Sequence, residues 1–346
     1  MKAALMTGPG SLVVGEMDEP ELPSGGAVVE LLACAICGTD VKMLEHGHKD
    51  LSYPRVLGHE MVGRIVEVDD KVRSYRQGDL VQIWPGIACG ICRPCSRGHD
   101  NQCHHMGILG FNRDGGFAQR MAVPAESVRG GGLVRLPETV DAALVTLTEP
   151  LACCLNGQEL ASVRRGDTVL IFGAGPIGCL HAIAARHKGA GKVLMTEHMK
   201  GRRALLPSGL SDRIIDPSAE DIATIVAEET GGEGVDVILM STPEVRVDNW
   251  LLKLVAPHGR ISVFSGPKKG NYEVPFDVRS LHYREIALVG AYGCSSRHNR
   301  MAVESLLSGE LDVEWLVTER ATLDGIVPAF QHVNDRIGMK SVITKF

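Results

Sequence analysis

The distribution of apolar residues divides the chain into two parts. Up to about residue 145, short apolar segments are separated by glycine and proline, as expected for short β-strands. These segments are Ala27–Ala33, Gly63–Val68, Leu80–Ile83 and Phe117–Val123. Because helical periodicity is scarce here, this part is predicted to be β-rich.

From about Arg165 onward, aliphatic runs alternate with helix-like stretches, which is typical of βαβ units. The runs are Thr168–Phe172, Lys192–Thr196, Asp212–Ile215, Val235–Met240, Gly259–Ser265 and Ile286–Val289. Since they are apolar without strict alternation, they predict a doubly wound parallel sheet covered on both faces. The tail shows a helical pattern over Met301–Ser308 and a strand-like segment over Ser341–Phe346.

Composition indicates a cytoplasmic α/β enzyme. The 346 residues suggest two domains, and 40 glycines against 4% aromatic residues suggest tight turns over an aliphatic core. A net charge of −6 argues against nucleic acid or a membrane surface as partner, so small molecules are expected. Neither a signal peptide nor a run of about 18 apolar residues is evident. In a reducing compartment, clustered cysteines favour metal binding over disulfides.

A glycine-rich motif follows the aliphatic run Val169–Phe172 and opens a helical stretch over Ile177–His187. It reads Gly173-Ala174-Gly175-Pro176-Ile177-Gly178. Gly173 suits a tight turn, Gly175 allows close approach of a pyrophosphate, and Gly178 allows the helix to pack on the strand. The motif therefore predicts a dinucleotide site.

An acidic residue in the expected place strengthens this prediction. Glu197 ends the next strand, where a carboxylate would bind the ribose hydroxyls and repel a 2′-phosphate, which favours NAD over NADP. Lys200, Arg202 and Arg203 follow, and they would serve equally well as phosphate contacts or as the solvated start of a helix.

Four closely spaced cysteines form the strongest local signal. They are Cys89, Cys92, Cys95 and Cys103. Four thiolates can surround one tetrahedral zinc ion and leave no open position, which defines a structural site. The spacing differs from that of a zinc ribbon with two separate CxxC pairs. His104 and His105 could compete as ligands, although four thiolates already saturate the ion.

A second group of possible ligands is dispersed along the chain. It comprises Cys37-Gly38-Thr39-Asp40, Gly58-His59-Glu60 and Glu149-Pro150. One thiolate, one imidazole and carboxylates would bind zinc with a position left for water or substrate, as catalytic zinc requires. By spacing alone this signal is weak, because a lone cysteine and a lone His-Glu pair are more often structural.

The ordered set of motifs resembles the zinc-containing medium-chain dehydrogenases over essentially the whole chain. The matching segments are Cys37–Asp40, Gly58–Glu60, the four-cysteine lobe, Asp114-Gly115-Gly116-Phe117-Ala118, Glu149-Pro150-Leu151 and Gly173–Gly178. The polyol (sorbitol/iditol-like) and threonine dehydrogenases are most similar, because Glu149 stands where primary-alcohol enzymes carry a cysteine. The resemblance implies a discontinuous GroES-like catalytic domain, residues 1–150 and 291–346, around a Rossmann NAD-binding domain, residues 151–290. A homotetramer or homodimer is also implied.

The resemblance further implies two zinc ions per chain. One is structural; the other is catalytic and bound by Cys37 and His59, with Glu60 as a ligand or its close partner and Glu149 binding directly or through water. Thr39 is implied to accept the alcohol proton, and hydride would pass from a secondary alcohol to NAD.

Two positions depart from the family pattern. Lys42 stands where relatives often have the histidine that passes the proton to solvent, and an ordinary lysine pKa of about 10.4 makes it a poor shuttle. His46, His48 or water would replace it. Ala291-Tyr292-Gly293 occupies the stretch in which sorbitol-type enzymes carry a substrate-binding arginine, and Arg297 lies nearby. Sorbitol is therefore disfavoured, whereas polyols, cyclitols, amino-alcohols and threonine-like substrates remain.

Two other functions fit the residues less well. A zinc-free quinone or enoyl reductase would have no use for Cys37, His59 and the cysteine lobe. A non-catalytic nucleotide-binding zinc protein would keep the glycine motif and the lobe but lose the reactive zinc. The joint presence of the catalytic set argues against it, namely Cys37, Thr39, His59, Glu60 and Glu149.

Overall fold

The computed structural model describes residues 1–266 and 273–346. It divides into two compact units. Unit 1 consists of residues 1–152 and 294–346, and unit 2 of residues 153–293. Among the described residues, no helix combines the length and apolar character needed to cross a bilayer.

Unit 1 is rich in short strands. The strands of its first segment are β1 (Lys2–Gly8), β2 (Ser11–Glu16), β3 (Ala27–Ala35), β4 (Arg55–Val56), β5 (Glu60–Val68), β6 (Leu80–Ile83), β7 (Gly86–Ile87), β8 (Gly107–Ile108), β9 (Arg120–Val123) and β10 (Leu133–Arg135). The helices are α1 (Gly38–His46), α2 (Arg93–Ser96), α3 (Ala125–Arg129), α4 (Ala142–Val145) and α5 (Thr148–Leu160), in which this segment ends.

Unit 2 alternates strands and helices, as its sequence predicts. Its elements are β11 (Thr168–Phe172), α6 (Pro176–His187), β12 (Lys192–Thr196), α7 (Lys200–Arg203), β13 (Arg213–Ile215), α8 (Ile222–Thr230), β14 (Val235–Met240), β15 (Val255–Val263), α9 (Val278–Arg284) and β16 (Ala287–Gly290). The six strands form one parallel sheet in the order β13-β12-β11-β14-β15-β16. The predicted doubly wound sheet is confirmed.

The chain tail returns to unit 1. It contains α10 (Ser296–Leu307), β17 (Val317–Thr322), α11 (Ile326–Asn334) and β18 (Lys340–Lys345). β18 pairs with β3, and Val342 lies opposite Ala35. On the other side of β3, β5 places Glu60 opposite the same Ala35. The tail therefore completes the main sheet of unit 1 and brings the start of β18 near Glu60.

Two helices depart from the predicted pattern. The first part holds little helix, as expected, but α1 was not anticipated; there the Cys37 side chain accepts the Thr39 N–H and starts the helix. α10 begins at Ser296 rather than Met301, because the Ser295 hydroxyl accepts the His298 N–H. In both cases, an N-terminal cap outweighs a weak apolar pattern.

Candidate functional site

Three dispersed residues converge at one end of the unit 1 sheet. The ligand atoms of Cys37, His59 and Glu60 all lie within 4.8 Å of one another. Cys37 precedes α1, and His59 and Glu60 stand at the start of β5, so the junction of β3 with α1 meets the beginning of the neighbouring strand. A sulfur, a nitrogen and an oxygen donor match the preferences of zinc and leave room for a further ligand.

Asp40 holds the two candidate ligands Cys37 and His59 in place. This carboxylate is fully buried, accepts the Cys37 N–H at 2.9 Å and lies 3.2 Å from His59 Nδ1. An Nδ1–H bonded to Asp40 directs the other ring nitrogen of His59 towards a metal. Burial alone would lower the pKa of His59, but the Asp40 carboxylate outweighs it and raises the pKa above its usual value.

Lys340 is a site residue that the sequence analysis missed. Its ammonium group forms a buried ion pair with both carboxylate oxygens of Glu60. Burial alone would lower the pKa of Lys340, but the Glu60 carboxylate outweighs it and raises the pKa. Lys340 therefore stays charged and orients Glu60. The sequence signal is weak, because the final strand, Lys340–Lys345, mixes polar and apolar residues and also ends in a lysine.

The other predicted residues of this site surround the group. Thr39 is exposed in the first turn of α1, two residues after Cys37. Glu149 lies in the first turn of α5, outside the 4.8 Å group. Burial raises the pKa of Glu60, Lys340 opposes this, and the Glu149 carboxylate adds to the rise. Glu149 is therefore near enough to act on Glu60, and its role as a ligand stays a prediction.

The two loop histidines differ in position. The His46 side chain is 76% exposed, with the carboxylate of Glu45 at 3.8 Å. The His48 side chain is 36% exposed and its ring lies 5.7 Å from that of Phe111. Phe111 in turn lies 5.4 Å from the ring of His59. Of these two histidines, the structure thus connects His48 with the metal-binding group through Phe111.

The four lobe cysteines also converge. The sulfur atoms of Cys89, Cys92, Cys95 and Cys103 lie within 4.8 Å of one another, and His104 and His105 are exposed outside this group. Backbone N–H groups of Cys89 and His105 both donate to Cys103 Sγ at 3.3 Å. N–H donors from Cys95 and His104 lower the pKa of Cys92 to about 6. Burial and the neighbouring thiols raise the pKa of Cys95 to about 12, so the four converging sulfurs rather than the pKa values support a closed, structural zinc site.

The glycine motif of unit 2 forms a tight turn between β11 and α6. Gly173 has a φ of +94°, and a Cβ on Gly178 would lie 1.9 Å from the Gly173 carbonyl oxygen. Gly175 caps α6, followed by Pro176 and Ile177 in the first turn, where a missing proline N–H costs nothing. A side chain at Gly178 is thus excluded by the backbone itself, as a close turn for a pyrophosphate requires.

Glu197 faces this turn from the end of β12. Its carboxylate accepts the N–H groups of Ala174 at 3.3 Å and Met199 at 2.8 Å. Arg202 and Arg203, which follow Glu197, make different contacts. Arg203 donates to the carbonyls of Glu197 and His198, each at 2.8 Å, and so clamps the loop. Arg202 instead lies so close to Gly175 that a Cβ there would be 3.0 Å from its guanidinium.

Known proteins match the chain along most of its length. Residues 23–137 match the alcohol dehydrogenase GroES-like domain, and residues 176–308 match the zinc-binding dehydrogenase domain. L-Threonine 3-dehydrogenase from Pyrococcus furiosus is 32% identical over 309 residues, covering 88% of this chain and 86% of the relative. L-Galactonate-5-dehydrogenase from Escherichia coli is 28% identical over 347 residues, covering 99% of both chains.

A solved structure gives the same result. A zinc-binding dehydrogenase from Sinorhizobium meliloti 1021, determined with NADP bound, superposes with a TM-score of 0.89 at 28% identity and covers 99% of this chain and 98% of its own. Both the sequence relatives and the fold confirm the predicted resemblance. This chain belongs to the zinc-containing medium-chain dehydrogenases, a family of oxidoreductases.

Proposed function

We propose that this protein is a zinc-dependent dehydrogenase that oxidises a secondary alcohol with NAD. The alcohol loses a hydride to the nicotinamide and a proton to solvent, so that the products are a ketone, NADH and H⁺. The convergence of Cys37, His59 and Glu60, with Asp40 and Lys340 orienting them, carries this proposal. A protein that only bound nucleotides would not need such a buried, charged arrangement.

The residues of unit 1 have separate roles in this reaction. A zinc ion bound by Cys37, His59 and Glu60 would polarise the substrate hydroxyl and lower its pKa, with Glu149 as a further ligand. Asp40 and Lys340 hold His59 and Glu60 in their ligating orientations. The Thr39 hydroxyl, exposed near Cys37, accepts the alcohol proton and passes it outward. The lobe of Cys89, Cys92, Cys95 and Cys103 would hold the structural zinc.

The substrate class is inferred from the relatives and from the departures in this chain. One relative is named for L-threonine and another for L-galactonate, both of which carry a secondary alcohol and a carboxylate. We therefore expect NADH production with a member of a panel of polyols, cyclitols, aldonates and amino-alcohols, including L-threonine. Formation of NADH only from primary alcohols would contradict the proposal.

The proton exit can be tested with a matched pair of variants. Packing against Phe111 places His48 near the metal-binding group, and since the phenyl ring carries no proton, transfer to His48 would run through water. We expect His48→Gln to lower kcat/KM roughly tenfold at neutral pH, as loss of an acid–base group would. His46→Gln, on the neighbouring exposed position, should leave the rate–pH profile unchanged. Equal profiles for both variants would assign the exit to water.

The cofactor preference depends on Glu197. Its carboxylate would bind the ribose hydroxyls and repel a 2′-phosphate, so we propose NAD as the cofactor. Replacing Glu197 by serine should raise the NADP/NAD ratio of kcat/KM at least about tenfold, since a like-charge contact is removed. Adding Arg202→Ala should cancel this gain, because Arg202 is the arginine beside Gly175. If Glu197→Ser prefers NAD over NADP as strongly as the wild type does, the role of Glu197 is refuted.

A homodimer or homotetramer is proposed from the edge of the unit 2 sheet. β16 is an edge strand whose Ala287, Leu288 and Gly290 are exposed, without a charged residue or proline to block pairing. A second copy can cover it by antiparallel pairing across a twofold axis. We expect Leu288→Lys to shift the protein to a smaller species in light scattering. An unchanged mass would place the interface elsewhere. A cytoplasmic location is proposed because clustered cysteines that serve as zinc ligands are typical of a reducing compartment.

A further inference from the structure

An aspartate of the cysteine lobe contacts the first turn of α10. Asp100 lies between Cys95 and Cys103, in a 3₁₀ helix over Asp100–Gln102. Its Oδ1 accepts the Ser296 N–H at 3.0 Å, and the Ser296 hydroxyl donates to Oδ2 at 2.5 Å. The two partners are 196 residues apart in the chain. Neither the zinc ligands nor the proposed chemistry explains this contact.

A zinc ion bound to the cysteine lobe would fix the backbone position of Asp100. The Asp100 carbonyl accepts the Cys103 N–H at 3.0 Å, and Cys103 is one of the four clustered thiols. A metal that closes around the thiolates fixes the backbone of such a small lobe, because metal binding and folding are coupled. The Asp100 carboxylate is therefore held in place through a candidate ligand that is three residues away.

The first turn of α10 is held at several points. The Ser295 hydroxyl accepts the His298 N–H at 3.3 Å. Asn299 and Gln82 exchange two buried amide hydrogen bonds, which tie the turn to β6. Asp100 supplies the negative charge next to the positive end of the helix dipole, which stabilises the N-terminus. The lobe thus contributes the charged member of this set of anchors.

The anchored turn follows a residue beside the candidate catalytic group. Cys294, two residues before Ser296, is buried, and its sulfur lies within 4.8 Å of the Glu149 carboxylate. Glu149 is the further zinc ligand proposed above. A shift of the first turn of α10 would therefore displace Cys294 and change the surroundings of the Glu149 carboxylate.

We propose that Asp100 is a positioning residue that transmits the metal-bound fold of the cysteine lobe to the first turn of α10 and to Cys294 beside the catalytic group. The kinetic part of this proposal rests on the proposed dehydrogenase function, whereas the structural part does not. The lobe then has a second role besides stability, because it fixes one wall next to the candidate catalytic centre.

Hydrogen–deuterium exchange of the full-length, zinc-loaded protein tests the contact. We expect Asp100→Ala to speed exchange in a peptide covering 294–303 roughly tenfold, as for the loss of a strong helix cap. Asp100→Asn keeps one acceptor for the Ser296 N–H and should restore part of the protection. Gln102→Ala is the matched control, since this exposed side chain belongs to the same 3₁₀ helix. Equal exchange in the alanine variants and the wild type would overturn the proposal.

Removal of the metal from the lobe tests the transmission. Cys95→Ser should lose zinc and deprotect the same peptide, and combining it with Asp100→Ala should add little, because both changes break one connection. Additive losses would show that the lobe acts on α10 by another route, and would contradict the role of Asp100. With an active substrate, Asp100→Ala should raise KM for the alcohol severalfold and leave KM for NAD unchanged. Exchange does not require turnover, so a wrong substrate class and a wrong positioning role give different results.

Discussion

Replacing Cys37 by serine is expected to abolish alcohol oxidation while the protein remains folded. Loss of the thiolate removes one of three converging ligands, and metal stabilisation of the reacting oxygen is worth several kcal/mol, so kcat should fall roughly a thousandfold. The fold should persist, because Cys37 also caps α1 and serine is a preferred N-cap residue. Activity is measured as NADH formation and stability as Tm.

Cys37→Ala provides the matched comparison. It removes both the ligand and the cap, so it should be as inactive as the serine variant but less stable, by about 1 kcal/mol. The difference between the two variants separates metal binding from helix capping. Substantial turnover by Cys37→Ser would show that the catalytic group has been assigned wrongly.

The second large effect is expected at Lys340. Replacing it by methionine in a Cys37→Ser background, which lacks the catalytic zinc, leaves the fully buried Glu60 carboxylate without its cation. This should lower the free energy of unfolding by about 3–5 kcal/mol. The double variant Glu60→Gln/Lys340→Met should recover most of this loss, since no charge is then left unpaired. Lys340→Arg keeps the charge and is the conservative control. Urea unfolding at neutral pH provides the measurement.

The direction of the pKa shift sets the pH range of this stabilisation. Because Glu60 raises the pKa of Lys340, the contribution is complete below the unfolded-state pKa of about 10.4 and is lost as the pH rises through the higher folded-state pKa. A loss below 1 kcal/mol in Lys340→Met, or losses that simply add in the double variant, would contradict a tight pair.

The parallel sheet could be predicted almost residue by residue. β11, β12 and β14 have the predicted bounds, because strands buried on both faces are continuous apolar runs. The other strands shift at their ends, and β15 begins at Val255 instead of Gly259. α1 and the start of α10 were missed, since their starting points depend on side-chain caps that periodicity does not register.

The sequence alone predicted one of the two metal-binding groups but not the other. The lobe was evident because its four cysteines are close in the chain, and a compact loop brings them together. The group at Cys37 depended on the family resemblance, because its members meet only through the pairing of β3 with β5. Lys340 was out of reach, since 280 residues separate it from Glu60 and only the return of β18 to β3 brings them together.

Zinc content tests the central claim, that one chain holds a catalytic and a structural zinc in two separate groups. Elemental analysis of the purified protein should give two zinc ions per chain, with one remaining in Cys37→Ser and one in Cys95→Ser. The ion retained by Cys37→Ser should support a normal Tm but no turnover. A wild-type content of one zinc, or a Cys37→Ser variant that still holds two, would contradict the account.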